Sequence, residues 1–180
     1  MARISLVDPN TATPELRAAH EAVVQSHGVV TNMKATLLHS PVALHAVLTW
    51  YDLFAQVKPF LGERLAVLFC DAISRQNRCE LCATFMRRAI IQGGEDPERL
   101  ELSERDKAVV EYGRQLAANP NRVSDQLFTR LQSYFSERQI VELTTFGALM
   151  IVNNIFNGAL QVDLDESLDG YLIQPEVAFA

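Results

Sequence analysis

A chain of 180 residues with 48% hydrophobic and 21% charged residues fits one ordinary domain able to bury its own core, which excludes disorder and low-complexity repeats. Lys and Arg number 16 against 22 Asp and Glu, a net charge of −6, which excludes nucleic acid as the main partner and an anionic membrane surface as a resting place. No apolar run approaches the roughly 18–20 residues of a membrane span, and Asp8 and Pro9 interrupt any signal-peptide core, so a cytoplasmic protein is expected.

Taken in chain order, the sequence predicts helices near 14–26, 32–39, 41–56, 62–77, 79–92, 104–118, 124–134 and 137–159 within one domain, 1–180. Thr13-Pro14 and Ser40-Pro41 each set a capping hydroxyl before a proline suited to the first helical position. Gly93-Gly94 ends a helix, Ser103 with Asp106 resembles a capping box, and Ser136 with Gln139 forms one. Hairpin dipeptides and sustained β-branched alternation are missing. Short connections then imply an all-α, antiparallel multi-helix array. Residues 1–30 read as an N-terminal arm. Residues 161–180 hold Asp163, Asp165, Glu166, Asp169 and Glu176 without Lys or Arg, and read as a solvated or loosely docked acidic tail. The segment 137–159 is apolar almost all round, from Ile140 and Val141 to Val152 and Ile155, so it must be covered on every side. A central course through the domain and a second subunit together would cover it, hence a homo-oligomer.

The chemistry concentrates in 63–90. Leu65, Leu68, Phe69, Ala72 and Ile73 mark a core stripe, Asn77-Arg78 interrupts it, and a second helix begins near Cys79. Cys79 and Cys82, three apart, share a helical face and can approach to disulfide distance. A helix start favours thiolate at Cys79; Arg75 and Arg78 add to this, and Glu80 opposes it. With Cys70 the cysteines number 3, too few and too clustered for a secreted disulfide framework. Spacing alone leaves three readings open: a redox dithiol, inert buried thiols, or a metal site. Structural zinc needs four Cys or His ligands, and His20, His27, His39 and His45 are scattered, reading as capping or surface residues; no metal or cofactor is expected.

Three blocks carry a family resemblance: VVTNMKATLLHSPVALHAVL at 29–48, ERLAVLF followed by ISRQNRCELC, and IVELTTFGALMIVNNIFNGAL at 140–160. In this order they resemble the carboxymuconolactone decarboxylase-like superfamily, in its alkylhydroperoxidase-related (AhpD-like) branch. The resemblance implies an all-α fold assembling as dimers, trimers or hexamers. It also implies a hydroperoxide-reducing dithiol that cycles through a disulfide and is restored by a thiol reductant, protein or small molecule. It makes Cys82 the peroxide-reactive thiol and Cys79 the resolving one. The family's proton relay, a glutamate twelve residues before the first cysteine and a histidine four after the second, falls on Val67 and Met86.

Losing the relay matters through protonation of the departing oxygen. Lowering a thiol pKa from about 8.5 to 7 nets only about 3–4-fold once reduced nucleophilicity is counted, whereas general acid catalysis contributes about 10²–10⁴-fold. The helical column through Val67 also carries Glu63 and Asp71, each one turn (about 5.4 Å) away, as candidate substitutes; the competing reading makes both surface or salt-bridged carboxylates. Cys70 reads as a core thiol. A non-catalytic binding or assembly protein on the same fold is the alternative to a weakened peroxidase. A decarboxylase is disfavoured, since the decarboxylases proper lack the C-x-x-C.

Overall fold

Hydroxyl caps set most helix starts. Thr13, Thr31, Ser40, Ser103, Ser124 and Ser136 each accept a first-turn backbone N–H through the side chain, and the boxes Ser103/Asp106 and Ser136/Gln139 are both closed. The computed structural model of the chain describes residues 2–172, so Glu176 lies outside the described residues. Its helices are α1 (Pro14–His27), α2 (Asn32–Leu37), α3 (Pro41–Leu61), α4 (Glu63–Gln76), α5 (Glu80–Gln92), α6 (Glu104–Ala118), α7 (Asp125–Gln132) and α8 (Glu137–Leu160). Two 3-10 turns, Pro120–Arg122 and Glu166–Tyr171, follow α6 and α8, and no strand occurs among the described residues. The all-α expectation therefore holds. Most boundaries agree within two residues, and the largest difference is at α3, which continues past 56 to Leu61, through Pro59. A proline this close to the end gives up only its own N–H, and the stop comes instead at Gly62, at φ +86°.

The centre of the main core is α4, which packs against α3, α5, α6 and α8. Its fully buried Phe69 lies in a slot between Gly113 of α6 and Gly147 of α8. A Cβ on Gly147 would stand 2.7 Å from Leu116 Cδ2 and 2.8 Å from Phe69 Cζ; one on Gly113 would stand 3.0 Å from Phe69 Cδ2. The glycines are what let two helices close on one aromatic ring. Phe69 stacks in turn on Phe146 and Tyr112, both with centroids 6.2 Å away, and Phe146 passes the aromatic run on to Trp50 at 4.9 Å.

The N-terminal residues do not form a free arm. Arg3 N–H donates to Leu160 O (2.9 Å), Val7 N–H to Ala35 O (3.1 Å), and the Ser5 carbonyl meets His39 Nε2 at 2.9 Å. Helix α1 contributes Val23 to a second, smaller core with Leu37, Leu38 and Leu44. The acidic segment, expected to be solvated or loosely docked, is likewise tied down as far as it is described. Leu168 is fully buried, Asp165 Oδ1 accepts the Asn32 N–H (2.8 Å), and the Asn32 side chain donates to the carbonyls of Asp163 and Leu164. The carboxylates made this stretch look hydrated, but Val162 and Leu168 anchor it.

By length and composition alone, α8 is the one helix among the described residues long and apolar enough to cross a membrane. Its buried side, with Leu143, Phe146, Gly147 and Met150, packs into the core, and its C-terminal half buries Asn154 and Asn157. Val141, Val152 and Ile155 stand 43–64% exposed within the single chain, which is the part of the helix that the sequence expects a second subunit to cover. A Gly147→Ala substitution should lower stability by about 1–3 kcal/mol, the usual range for overpacking, when urea unfolding is followed by circular dichroism.

Candidate active site

The C-x-x-C sits where α4 hands over to α5. Beyond Gln76, Asn77 stays helical and Arg78 turns left-handed at φ +55°. The Arg78 N–H then reaches Arg75 O (3.0 Å) and the Cys79 N–H reaches Ser74 O (2.9 Å), a paired closure of the helix end. Cys79 next becomes extended (φ −87°, ψ 95°) and serves as the N-cap of α5, its carbonyl accepting from Ala83 N–H at 2.9 Å. Cys79 thus ends one helix and begins the next, just before the first turn in which it was expected. Cys82 follows as the third residue of α5.

Both cysteines are 4–5% exposed, and both are free thiols. The amide of Asn157 on α8 donates to Cys82 Sγ (3.2 Å) and to Met33 Sδ (3.4 Å). The two thiols also share a hydrogen bond. It draws the Cys79 thiol below its ordinary value, helped by the Cys82 backbone N–H and Asn157, against burial and the nearby Glu80. The same bond pushes the Cys82 thiol well up, and burial adds to it. The two thiols therefore ionise as a pair, with the thiolate favoured at Cys79 and disfavoured at Cys82. Cys70 is the third, fully buried thiol, pushed up by burial and by the adjacent Asp71.

Cys82 forms part of the wall of a partly open cavity of about 160 Å³ beneath α2 and α3. The wall is mainly apolar, with Met33, Leu37, Trp50, Phe85, Met86 and Met150. Its polar features are Lys34, Tyr51 and the amides of Asn153 and Asn157. Buried here without a protein partner are Trp50 Nε1, Asn153 Oδ1 and Asn157 Oδ1, which leaves one donor and two acceptors for a guest. No group of three or more His, Cys, Asp or Glu side chains that could hold a metal ion occurs among the described residues.

Neither Glu63 nor Asp71 lines the Cys82 cavity. Glu63 is exposed and pairs with Lys58 (2.7 Å), and with Val67 it faces a separate cavity of about 570 Å³ near the C-terminal end of α5. Asp71 is buried and held by Arg75 (Nε to Oδ2, 2.9 Å); burial raises its pKa, and Arg75 opposes that most strongly. Helical periodicity placed both carboxylates in the Val67 column, but α5 leaves α4 at a sharp turn, so that column diverges from the cavity. Met86 does line it. Lys34, Asn153 and Asn157 were missed as site residues. A lysine in an apolar block and three asparagines in an apolar helix are the signals that could have found them, since buried polar groups need partners.

Arg78 carries the strain of the corner. A left-handed L-residue costs roughly 1–2 kcal/mol, of which the greater freedom of unfolded glycine takes back roughly 0.5–1 kcal/mol. Arg78→Gly should therefore raise unfolding free energy by about 0.5–1 kcal/mol in urea titration, and Arg78→Val should lower it.

No family model matches the chain, and no curated protein matches it. Solved structures do. A peroxidase-related protein from Ralstonia eutropha JMP134 with an alkylhydroperoxidase AhpD core aligns at a TM-score of 0.76 and 15% identity, over 93% of this chain and 94% of that one. The debrominase Bmp8 aligns at 0.73 and 16% over 93% and 95%, and a cysteine-to-alanine variant of it was solved with 2,3,4-tribromopyrrole. A peroxidase-related protein from Silicibacter sp. TM1040 aligns at 0.71 and 17%, over 94% of each chain. The shared feature at such identities is the path of the helices. This chain has the AhpD-like all-α fold, with Cys79-x-x-Cys82 at the junction of α4 and α5.

Proposed function

We propose that the protein is a thiol-dependent oxidoreductase that reduces a compact, apolar hydroperoxide through a Cys79/Cys82 dithiol–disulfide cycle. The observation that carries this reading is the position of Cys82 on the wall of an apolar cavity, hydrogen-bonded to a second thiol at the cap of the same helix. At about 160 Å³ the cavity matches the size of an engineered 150 Å³ cavity that takes up benzene.

In the cycle, Cys82 passes its proton to the Cys79 thiolate and attacks the terminal oxygen of R–O–OH. The sulfur loses two electrons, the O–O bond breaks, and R–O⁻ leaves as the alcohol after taking a proton. The Cys79 sulfur then displaces the hydroxyl of the Cys82 sulfenic acid, which departs as water, and the disulfide forms. A dithiol reductant, small molecule or protein, restores both thiols, which places the protein in a reducing compartment such as the cytoplasm. With Val67 and Met86 at the relay positions, turnover is expected to be slower than in proteins that keep the relay.

Peroxide should consume two thiols per chain, with mass spectrometry locating a 79–82 disulfide. Cys82→Ser should abolish the loss, and Cys79→Ser should trap a sulfenic acid on Cys82. Cysteines that stay silent until denaturation would instead favour a non-catalytic binding or assembly protein. The ring-sized cavity and the likeness to a debrominase favour a second reading. In that reading the dithiol replaces a halogen of a small aromatic ring by hydrogen, releasing halide as the disulfide forms; halide release in the same assay distinguishes the two.

The exposed stripe of α8 supports self-assembly as a dimer, trimer or hexamer. Val152→Glu with Ile155→Glu should shift the light-scattering mass of the eluting species to that of a single chain.

A further inference from the structure

Lys34 is the one charged residue among the described residues that line the Cys82 cavity. It is 8% exposed, and its Nζ donates to Val29 O (3.2 Å) and lies 5.3 Å from the centroid of the Tyr51 ring. An ammonium has three N–H groups; the carbonyl takes one, and another can rest on the ring face. Burying such a charge is unfavourable without close compensation, and a buried charge that lines a cavity is a candidate functional group. The placement fits: Lys34 on α2 and Cys82 on α5 line the same cavity.

We infer that Lys34 is the general acid of this site, giving its proton to the oxygen that leaves Cys82. The inference rests on the proposed reading of Cys82 as the peroxide-reactive sulfur. When the Cys82 thiolate attacks the terminal oxygen and the O–O bond breaks, the departing alkoxide takes a proton from Lys34 and leaves as the alcohol. The amine is reprotonated from solvent. Lys34 thereby fills, from α2, the role that Met86 cannot perform with a thioether.

The groups around Lys34 set its protonation. Burial lowers its pKa from the ordinary lysine value, and Asp165, after α8, partly opposes this. Tyr51 on α3 offers its ring face and keeps its proton, because burial raises its pKa. His27 at the end of α1 lies 4.3 Å from Tyr51 and has its own pKa lowered, first by burial and next by Lys34, with Asp52 of α3 opposing. From α5, Arg88 acts on Asp165, and the dithiol faces the cavity through Cys82. The rate of sulfur oxidation needs a thiolate and an ammonium together. It should rise with pH as the dithiol ionises and fall again, below the ordinary lysine range, as Lys34 loses its proton.

The test is single-turnover oxidation of the full chain by tert-butyl hydroperoxide beside its reaction with 4,4′-dithiodipyridine, whose thiolate-like leaving group needs no acid. Lys34→Met is expected to slow the peroxide reaction about 100-fold or more and to erase the descending alkaline limb, while the pyridyl disulfide reaction changes less than about threefold. Lys34→Arg keeps the charge but holds its proton, so it should be as slow as the methionine variant. Wild-type peroxide rates in Lys34→Met, equal slowing of both reagents, or recovery in Lys34→Arg would each overturn the role. A wild-type chain that reacts with the pyridyl disulfide and not with the hydroperoxide overturns the underlying reading and the role together. That outcome is visible before any variant is made.

Discussion

A single residue closing one helix and opening the next is the constraint on which the site depends. Cys79 donates its backbone N–H back to Ser74 and accepts, through its carbonyl, the first bond of α5. Its sulfur position is therefore fixed by two helices at once, and Cys82, three residues on, has little freedom to differ. The corner is rigid only if α4 itself is held, and that is the work of Phe69 and the two glycines that admit its ring. Core packing and site geometry are in this sense one structure, with the aromatic run from Phe69 through Phe146 to Trp50 joining them.

Electrostatics then divides the labour between the sulfurs. Cys79, at the cap of α5, is favoured as the thiolate, and Cys82, which lines the cavity, is disfavoured. Asn157 adds a donor that follows either sulfur. Burial alone would raise both thiols and silence them. The shared hydrogen bond, not exposure, keeps one of them ionisable.

Much of this was legible in the sequence. Thr13, Ser40, Ser103 and Ser136 announced helix starts because a capping hydroxyl acts locally, within three residues. Asn77-Arg78 announced the corner because it broke an apolar period. Less local features were hidden. The helix expected to end at 56 runs on to Leu61, with Pro59 absorbed within its last turn. The first residues and the acidic segment looked loose, because their anchors are backbone bonds to Ala35 and Leu160 and the buried Leu168, none of which a charge count reveals. Asp71 and Glu63 were placed by the period of one helix, but the cavity is built from several. Lys34 and the pair Asn153 and Asn157 come from two distant parts of the chain, and α2 and α8 bring them to one cavity.

The brevity of α2 has a thermodynamic consequence. Six residues, Asn32–Leu37, cannot hold helical form unaided in water. This ceiling exists because Val7 and Asp165 grip it from outside and the small core of Val23, Leu37, Leu38 and Leu44 grips it from within. Its free energy of opening is therefore separable from that of the body below, and a guest that fills the space stabilises the closed roof while giving up part of its affinity to order it.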